Sequence, residues 1–509
     1  MTATFFVMSG DEYVRVFTSV PKPDGSGRAI GTFLDPAGKA IAEIRQGKPF
    51  YGEVTILGTP YVTGYEPMKD GGRQRHRHLL RRLQEVGQPF EPSSVVPRRS
   101  IMSRFDASLT SVAAAIALAS MAAKADVVTD WNATGIEATA ATYGGSTGPQ
   151  ARILAMAHGA LFDAVNAIDR RYQFYLGELS AAAGASTDAA AATAAHAVLA
   201  AQLPAQKARF DTALAASLAK IADGPARSDG VDLGRRAAER MLAARQGDGS
   251  AATVAYTPGS AAAEWRPTPP AFAAASLPHW GAVKPFLLTS NDQFKPPGMP
   301  AATSAAYAKD IAEIRRVGGR NSAERTAEQS EVAVYWTVST GVPYNAVARS
   351  HALAGNRSVV DNARLFAMLN MVAADSQFVA WRVKYTQNVL RPVQAIREAD
   401  KLGNPGIQPD PAWEPLIDTP AHPDYLSGHA TYGGAASAVL RALLGESAGG
   451  QHTNVVKRRW DSPIAMEKEI ENARVWSGIH TRTADEHSSL LGRQVAEYGL
   501  RSAMQPLAK

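Results

Sequence analysis

Residues 358–389, SVVDNARLFAMLNMVAADSQFVAWRVKYTQNV, decide the fold class. Apolar side chains recur there at three- and four-residue spacing, among them Leu365, Met368, Leu369 and Val372, which is the period of one buried helix face. The same alanine-rich pattern returns at 151–168, 188–203, 205–221, 233–245 and 306–317. Small side chains let helix axes approach closely, and alanine loses no rotamer freedom in a helix. The body of the chain is therefore predicted to be all-helical. Residues 247–304 interrupt it with Gly, Pro, Ser and Thr, including Pro267, Pro269 and Pro270, and read as a long connecting segment.

At 509 residues the chain is too long for one small module, and about 150 residues per domain suggests about three units. Its net charge of +6 and pI of about 9.3 invite a nucleic-acid reading. The location of the charge argues against that reading. Residues 73–101 carry seven arginines against Glu85 and Glu91, and residues 1–72 carry seven bases against eight acids, which leaves 102–509 with only +2. No apolar run approaches the roughly 20 residues of a membrane span. The absence of cysteine excludes disulfides, thiolate nucleophiles and Cys-ligated metals.

The first 72 residues read as mixed α/β, with strands at Tyr13–Val20, Gly52–Leu57 and Tyr61–Tyr65, a turn at Pro23–Gly27 and a short helix at Pro36–Gln46. The segments Val14-Arg15-Val16, Asp35-Pro36, Gly47-Lys48-Pro49-Phe50, Gly58-Thr59-Pro60-Tyr61-Val62 and Tyr65-Glu66-Pro67 resemble part of a Cache-type extracytoplasmic sensor domain. Residues 73–101 have neither strand nor helix period and are expected to be a basic, disordered linker. From Met102 a basic start, an apolar run over Val112–Ala123 and Ala123-Lys124-Ala125 form the parts of a secretory signal peptide. The expected location is periplasmic or secreted if translation starts at Met102. The expected architecture is mainly α, two four-helix bundles at 126–370 and 371–509 preceded by the small α/β fragment.

Three motifs in the last 130 residues carry chemistry. In Trp381-Arg-Val-Lys384-Tyr-Thr-Gln-Asn-Val-Leu-Arg391-Pro392, Lys384 and Arg391 are seven apart. On a helix they would point within about 20° of one another, about 10.5 Å apart along the axis, with room for a tetrahedral oxyanion between them. Pro392 disfavours helical geometry at Arg391 and puts its guanidinium at a helix end. In His422-Pro-Asp-Tyr-Leu-Ser427-Gly428-His429, Ser427 is predicted to cap a helix running to about Leu444. Gly428 leaves its amide unshielded, and His429 stands in the first turn, where the positive helix end favours neutral imidazole. In Arg474-Val-Trp-Ser477-Gly478-Ile-His480, a continuous helix would put Arg474 and His480 on different faces. Ser477-Gly478 is expected to break it and bring both to one site. Each motif alone reads more simply as a solvated face, a helix start or a structural histidine.

Taken in order, Lys384 with Arg391-Pro392, Ser427-Gly428-His429, and Arg474 with His480 resemble the three-part signature of vanadium-dependent haloperoxidases and type 2 phosphatidic-acid phosphatases. The resemblance is close over about 375–500. It implies that Lys384, Arg391, Arg474, Ser427 and the Gly428 amide hold the oxygens of vanadate or phosphate. His480 would bind vanadium or become a phosphohistidine, and His429 would be the acid/base. Vanadate mimics the phosphoryl transition state, so one pocket can hold either. Leu426 stands where the family has proline, Ala473 where it often has serine, and Ala484 where an acid normally follows the histidine by four; Asp485 or Glu486 comes next.

Trp381 and His422 occupy positions where chloroperoxidases and bromoperoxidases of the family place a tryptophan and a second histidine. They favour a haloperoxidase, acting on hydrogen peroxide and halide, over a phosphatase acting on a phosphate ester. A sensor or a non-catalytic helical protein is the reading from another class. A sensor would need a complete pocket and an output module, which residues 1–72 do not offer.

Overall fold

The computed structural model describes residues 4–9, 12–18, 42–43, 50–56, 59–68, 77–85 and 126–507, residues 356 and 455 excepted. The chain divides into two compact units, Met1–Ala115 and Ile116–Lys509.

The first unit holds an antiparallel five-stranded sheet in the order β2-β1-β5-β4-β3. Its strands are β1 (Thr4–Ser9), β2 (Glu12–Thr18), β3 (Phe50–Ile56), β4 (Thr59–Met68) and β5 (Arg77–Glu85). Two hairpins, β1–β2 and β3–β4, are joined by β5, which pairs Val7 with Arg77 on one side and Tyr61 with Glu85 on the other. Strands β2 to β4 fall on the three predicted runs, and Ala42 and Glu43 are helical within the predicted short helix. The expected linker is corrected at Arg77–Glu85, which is the central strand. A central strand is held by backbone ladders on both edges, and these are indifferent to the arginine-rich side-chain pattern that hid it. The turn at 23–27, the rest of the linker and the signal-like segment 102–125 lie outside the described residues.

The second unit is a helical body. Its first part runs α1 (Val127–Tyr143), α2 (Thr147–Ile168), α3 (Thr187–Gln202), α4 (Lys207–Leu218), α5 (Pro225–Ala244), α6 (Ala305–Val317), α7 (Ala327–Tyr335) and α8 (Gly341–Ala354). Then come α9 (Val359–Gln387), α10 (Pro392–Arg397), α11 (Gly428–Leu444), α12 (Pro463–Trp476) and α13 (Arg482–Ser502). Starts are set by local chemistry: hydroxyls of Ser186, Ser304, Ser358, Ser427, Ser462 and Thr481 accept from first-turn amides, and Thr326 forms a capping box with Gln329. Alanine packing is as close as its composition implies. A Cβ at Gly234 of α5 would lie 2.3 Å from the Ala190 carbonyl of α3. The hairpin β6 (Gly450–Thr453) and β7 (Lys457–Trp460) has no counterpart in the sequence reading.

Helix α9 is the axis of this body. It packs against α2 on one side and α11 and α13 on another, and Leu365 to Ala374 are buried without a break. The boundary expected at 370/371 falls inside it, and one apolar core runs from Val128 to Met504 across both expected bundles. The long segment between α5 and α6 is strapped onto α9 by Asp375, whose buried carboxylate accepts from the amides of Phe286, Leu287 and Leu288 at 2.6, 2.7 and 3.0 Å. Asp375→Ala would leave those donors in a buried setting without their acceptor. A loss on the order of 3 kcal/mol is expected, seen as a lower urea midpoint; an unchanged midpoint would show that the strap carries no stability. Among the described residues no helix is long and apolar enough to cross a membrane.

Candidate active site

The end of α9 supplies the first cation. Lys384 sits in its last turn, fully buried, and its Nζ donates to the carbonyls of Pro423 (2.7 Å) and Asp424 (3.1 Å). The helix stops at Gln387, so the heptad from Lys384 to Arg391 is not continuous. Asn388 takes a left-handed conformation with φ of 51°, and Arg391 is the extended N-cap of α10, with Pro392 as its first residue. Lys384 and Arg391 therefore converge through a break between two helices, not along one helical face. Arg391 is also fully buried. Its Nε and Nη1 donate to the carbonyls of His422 and Ile479, both at 2.6 Å, and Nη2 lies 2.8 Å from His422 Nδ1.

The start of α11 is built as its sequence predicts. Ser427 is the N-cap, its amide donates to Ser488 Oγ at 2.8 Å, and its Oγ accepts from Ala430 at 3.5 Å. A Cβ on Gly428 would lie 2.8 Å from the Trp381 ring, so only a glycine fits between the indole and the helix start. His429 Nε2 lies 3.2 Å from the Val338 carbonyl. A carbonyl can only accept, so Nε2 carries the proton and Nδ1 is left as the basic atom.

The third motif breaks at Ser477-Gly478. Helix α12 ends at Trp476, and Gly478, with φ of 79°, redirects the chain so that Arg474 and His480 reach the same cavity. Arg474 Nη1 donates to the Trp336 carbonyl at 2.9 Å, while its Nε is buried without a partner. His480 Nδ1 lies 2.5 Å from Asp424 Oδ1. Asp424 Oδ2 accepts from Thr481 Oγ1 at 2.8 Å and from its amide at 3.4 Å. A carboxylate takes the proton side of the ring, which leaves His480 Nε2 with its lone pair. Arg391 Nη1 is 3.2 and 3.4 Å from the two ring nitrogens, nearly equidistant, and so lies over the ring and not on either lone pair.

These groups wall a cavity of about 410 Å³. Trp381, His422, Gly428, His429, Arg474 and His480 are among the residues that line it. Lys384, Arg391, Ser427 and Asp485 lie directly in the surrounding shell with no solvent exposure. Burial, then the charges of Arg391 and Lys384, hold His480 well below its usual range; burial and Arg474 do the same for His429, and burial with Lys384 and Arg391 for His422. All three imidazoles are thus neutral near pH 7. Burial lowers Arg391 and Arg474 only to about 10, so both stay protonated. Burial and the Arg391 charge press Lys384 well below its usual range. Its ammonium is a group that a bound anion would stabilise.

The donor set suits an oxyanion. Among the described residues Lys384, Arg391 and Arg474 form no ion pair with a carboxylate, the Arg474 Nε is unpaired, and no cluster of three His, Asp or Glu side chains offers a cage for a bare cation. Three cations, a cap hydroxyl, a bare amide and one imidazole lone pair converge instead. Vanadate or phosphate fits that set.

Residues 364–509 match the family model of the VCPO second helical-bundle domain. Residues 1–74 match the Cache 3/Cache 2 fusion domain. Vanadium chloroperoxidase of Curvularia inaequalis is 29% identical over 197 residues, and the match covers 32% of each chain, so this chain spans about a third of that relative's length. The fold extends further than the sequence match. A bacterial vanadium-dependent iodoperoxidase structure superposes with a TM-score of 0.66 at 23% identity, covering 75% of this chain and 97% of its own. A holo-type bacterial vanadium-dependent chloroperoxidase gives 0.57 at 17% identity, covering 70% and 91%.

Around His480, two sequence expectations change. Asp485 does not contact His480. It lies fully buried beside the Ser427 hydroxyl, and burial holds its carboxyl well above the usual range. The acid that does contact His480 is Asp424, which the sequence reading passed over. Two signals pointed to it: the missing acid at Ala484, and an aspartate inside the second motif, three residues before Ser427.

Proposed function

We propose that the protein is a vanadium-dependent haloperoxidase, oxidising halide with hydrogen peroxide at a vanadate held by His480. The observation that carries this reading is the pairing of a bare, neutral His480 Nε2 with three buried cations free of carboxylate partners. Bound vanadate supplies a Lewis-acid centre that activates peroxide for attack by halide.

The chain's own residues do the rest. Lys384, Arg391 and Arg474 neutralise the oxyanion's charge, with the Ser427 hydroxyl and Gly428 amide as additional donors. His429 holds its proton at Nε2 against Val338 and is able to take one from peroxide at Nδ1. His422 accepts from Arg391 at Nδ1, since a guanidinium only donates, and so presents Nε2–H as a donor at the cavity wall. Trp381 closes that wall, its ring 5.2 Å from that of His422. The indole and the additional imidazole favour peroxidase over phosphatase chemistry, and the names of the similar proteins support the same choice. Phosphate-ester hydrolysis through a phosphohistidine at His480 is the second reading, favoured by the same bare Nε2. The Cache-type match and the signal-like 102–125 support action outside the cytoplasm.

The test is an assay of the full chain for bromide oxidation by hydrogen peroxide, with and without orthovanadate, and for p-nitrophenyl phosphate hydrolysis without vanadate. Vanadate-dependent bromide oxidation is expected. Hydrolysis without halide oxidation would establish the phosphatase reading instead, and absence of both would remove the enzyme reading.

A further inference from the structure

We propose that Asp424 is the positioning residue of His480, taking from the second motif the place that Ala484 leaves empty in the third. The inference rests on the oxyanion-site reading above and concerns how this chain meets that need.

Asp424 is fully buried and tied down at every polar atom. Its amide donates to the Val389 carbonyl at 2.9 Å and its own carbonyl accepts from Lys384 Nζ. One carboxylate oxygen holds His480 Nδ1, and the other holds both the amide and the hydroxyl of Thr481. The first motif thus fixes the Asp424 backbone, and the Asp424 side chain fixes the third motif. Its effect on His480 is twofold: the ring plane is set, and the tautomer is set with the proton on Nδ1. An outer partner of this kind orients the ligand and raises the basicity of its free nitrogen. Asp485, which follows Ala484, takes no part in this: its carboxyl faces the Ser427 hydroxyl, while His480 Nδ1 is held by Asp424.

The carboxylate also predicts what its amide would do. Thr481 offers two donors to Oδ2, so in Asp424→Asn the amide oxygen is expected to stay with Thr481 and the NH₂ to turn to His480. The NH₂ would then donate to Nδ1 and force the proton onto Nε2, the wrong tautomer for a ligand.

Binding of orthovanadate and of inorganic phosphate to the full chain separates the possibilities. Phosphate calls on the cation cradle without a bond to His480, whereas vanadate needs both. Asp424→Asn is expected to weaken orthovanadate binding about 10- to 100-fold, with phosphate binding unchanged or tighter because a negative charge has left a cationic site. In a His480→Ala background, where vanadate too relies on the cation cradle alone, the same substitution is expected to leave vanadate binding unchanged or tighter, as for phosphate. Thr481→Val, which withdraws one donor from Asp424 together with the N-cap of α13, is expected to shift the vanadate-to-phosphate ratio a few-fold in the same direction, whereas Thr481→Ser, which keeps both hydroxyl roles, is expected to leave it unchanged; the pair decides the matter should Asp424→Asn not fold. An unchanged ratio in both Asp424→Asn and Thr481→Val, or an equal effect with and without His480, overturns the proposal. Binding of neither anion to the unaltered protein would instead overturn the oxyanion-site reading itself.

Discussion

His480→Ala is expected to lower vanadate-dependent bromide oxidation by at least about 10³-fold, close to 4 kcal/mol of transition-state stabilisation. His480 is the one imidazole of the cavity whose neighbours leave a lone pair on Nε2 while Nδ1–H is committed to a carboxylate. His422 is held the other way by Arg391, and His429 keeps its proton on Nε2 against the Val338 carbonyl. Neither can substitute by a small movement, because each would have to exchange its proton between ring nitrogens and abandon a partner.

The cations are untouched by the substitution, so phosphate binding should survive it. The Asp424 carboxylate loses one of its donors, and a stability cost of about 1–3 kcal/mol is expected. The measurements are bromide oxidation, phosphate affinity and a thermal melt on one sample. Activity within tenfold of the unaltered protein would exclude His480 as the vanadate ligand. If the site hydrolyses phosphate esters, that reaction is expected to fall with the same substitution, since the phosphohistidine would form on the same nitrogen.

The parts of this molecule that could be read in the sequence are those set by local physics. The periodicity of 358–389 marks α9, and Ser427 caps α11 because its hydroxyl and the first-turn amides are neighbours along the chain. The Ser477-Gly478 break is likewise local. What escaped is tertiary. Asp424 and His480 are 56 residues apart, and nothing in either segment alone says that they touch. The early end of α9 reflects Asn388, whose left-handed conformation is accompanied by a bond from Tyr256 to its side chain and from Trp265 to its carbonyl. Both partners come from the irregular 247–304 segment. Strand β5 shows the same limit: its partners are strands from both hairpins, and its own arginine-rich pattern carries no period.

Gly478→Ala is expected to cost more than any other glycine-to-alanine change of its kind, in stability and in activity together. Gly478 is the C′ residue of α12 in a Schellman arrangement. Its amide donates to Val475 at 2.9 Å, and the Ile479 amide donates to Arg474 at 3.3 Å. The φ of 79° alone penalises an L side chain by about 1–2 kcal/mol. A Cβ there would also lie 2.3 Å from the Gly318 carbonyl oxygen and 2.9 Å from Pro415 Cβ. The obstruction is mainly backbone, so it cannot be relieved by a rotamer change. Relief requires moving the turn, and the turn carries both Arg474 and His480 into the cavity. Gly403 is the control. It has a comparable φ of 65°, but nothing lies within 4 Å of its Cβ position, so Gly403→Ala should show the backbone penalty alone and leave activity unchanged. The excess destabilisation of Gly478→Ala over Gly403→Ala then measures the close approach of Gly318 and Gly478. It should be accompanied by a loss of vanadate affinity of at least about tenfold, since about 1.4 kcal/mol of misplacement suffices for that. Equal melting shifts in the two variants, with activity retained in both, would show that the turn tolerates a side chain and that the geometry of His480 does not depend on it.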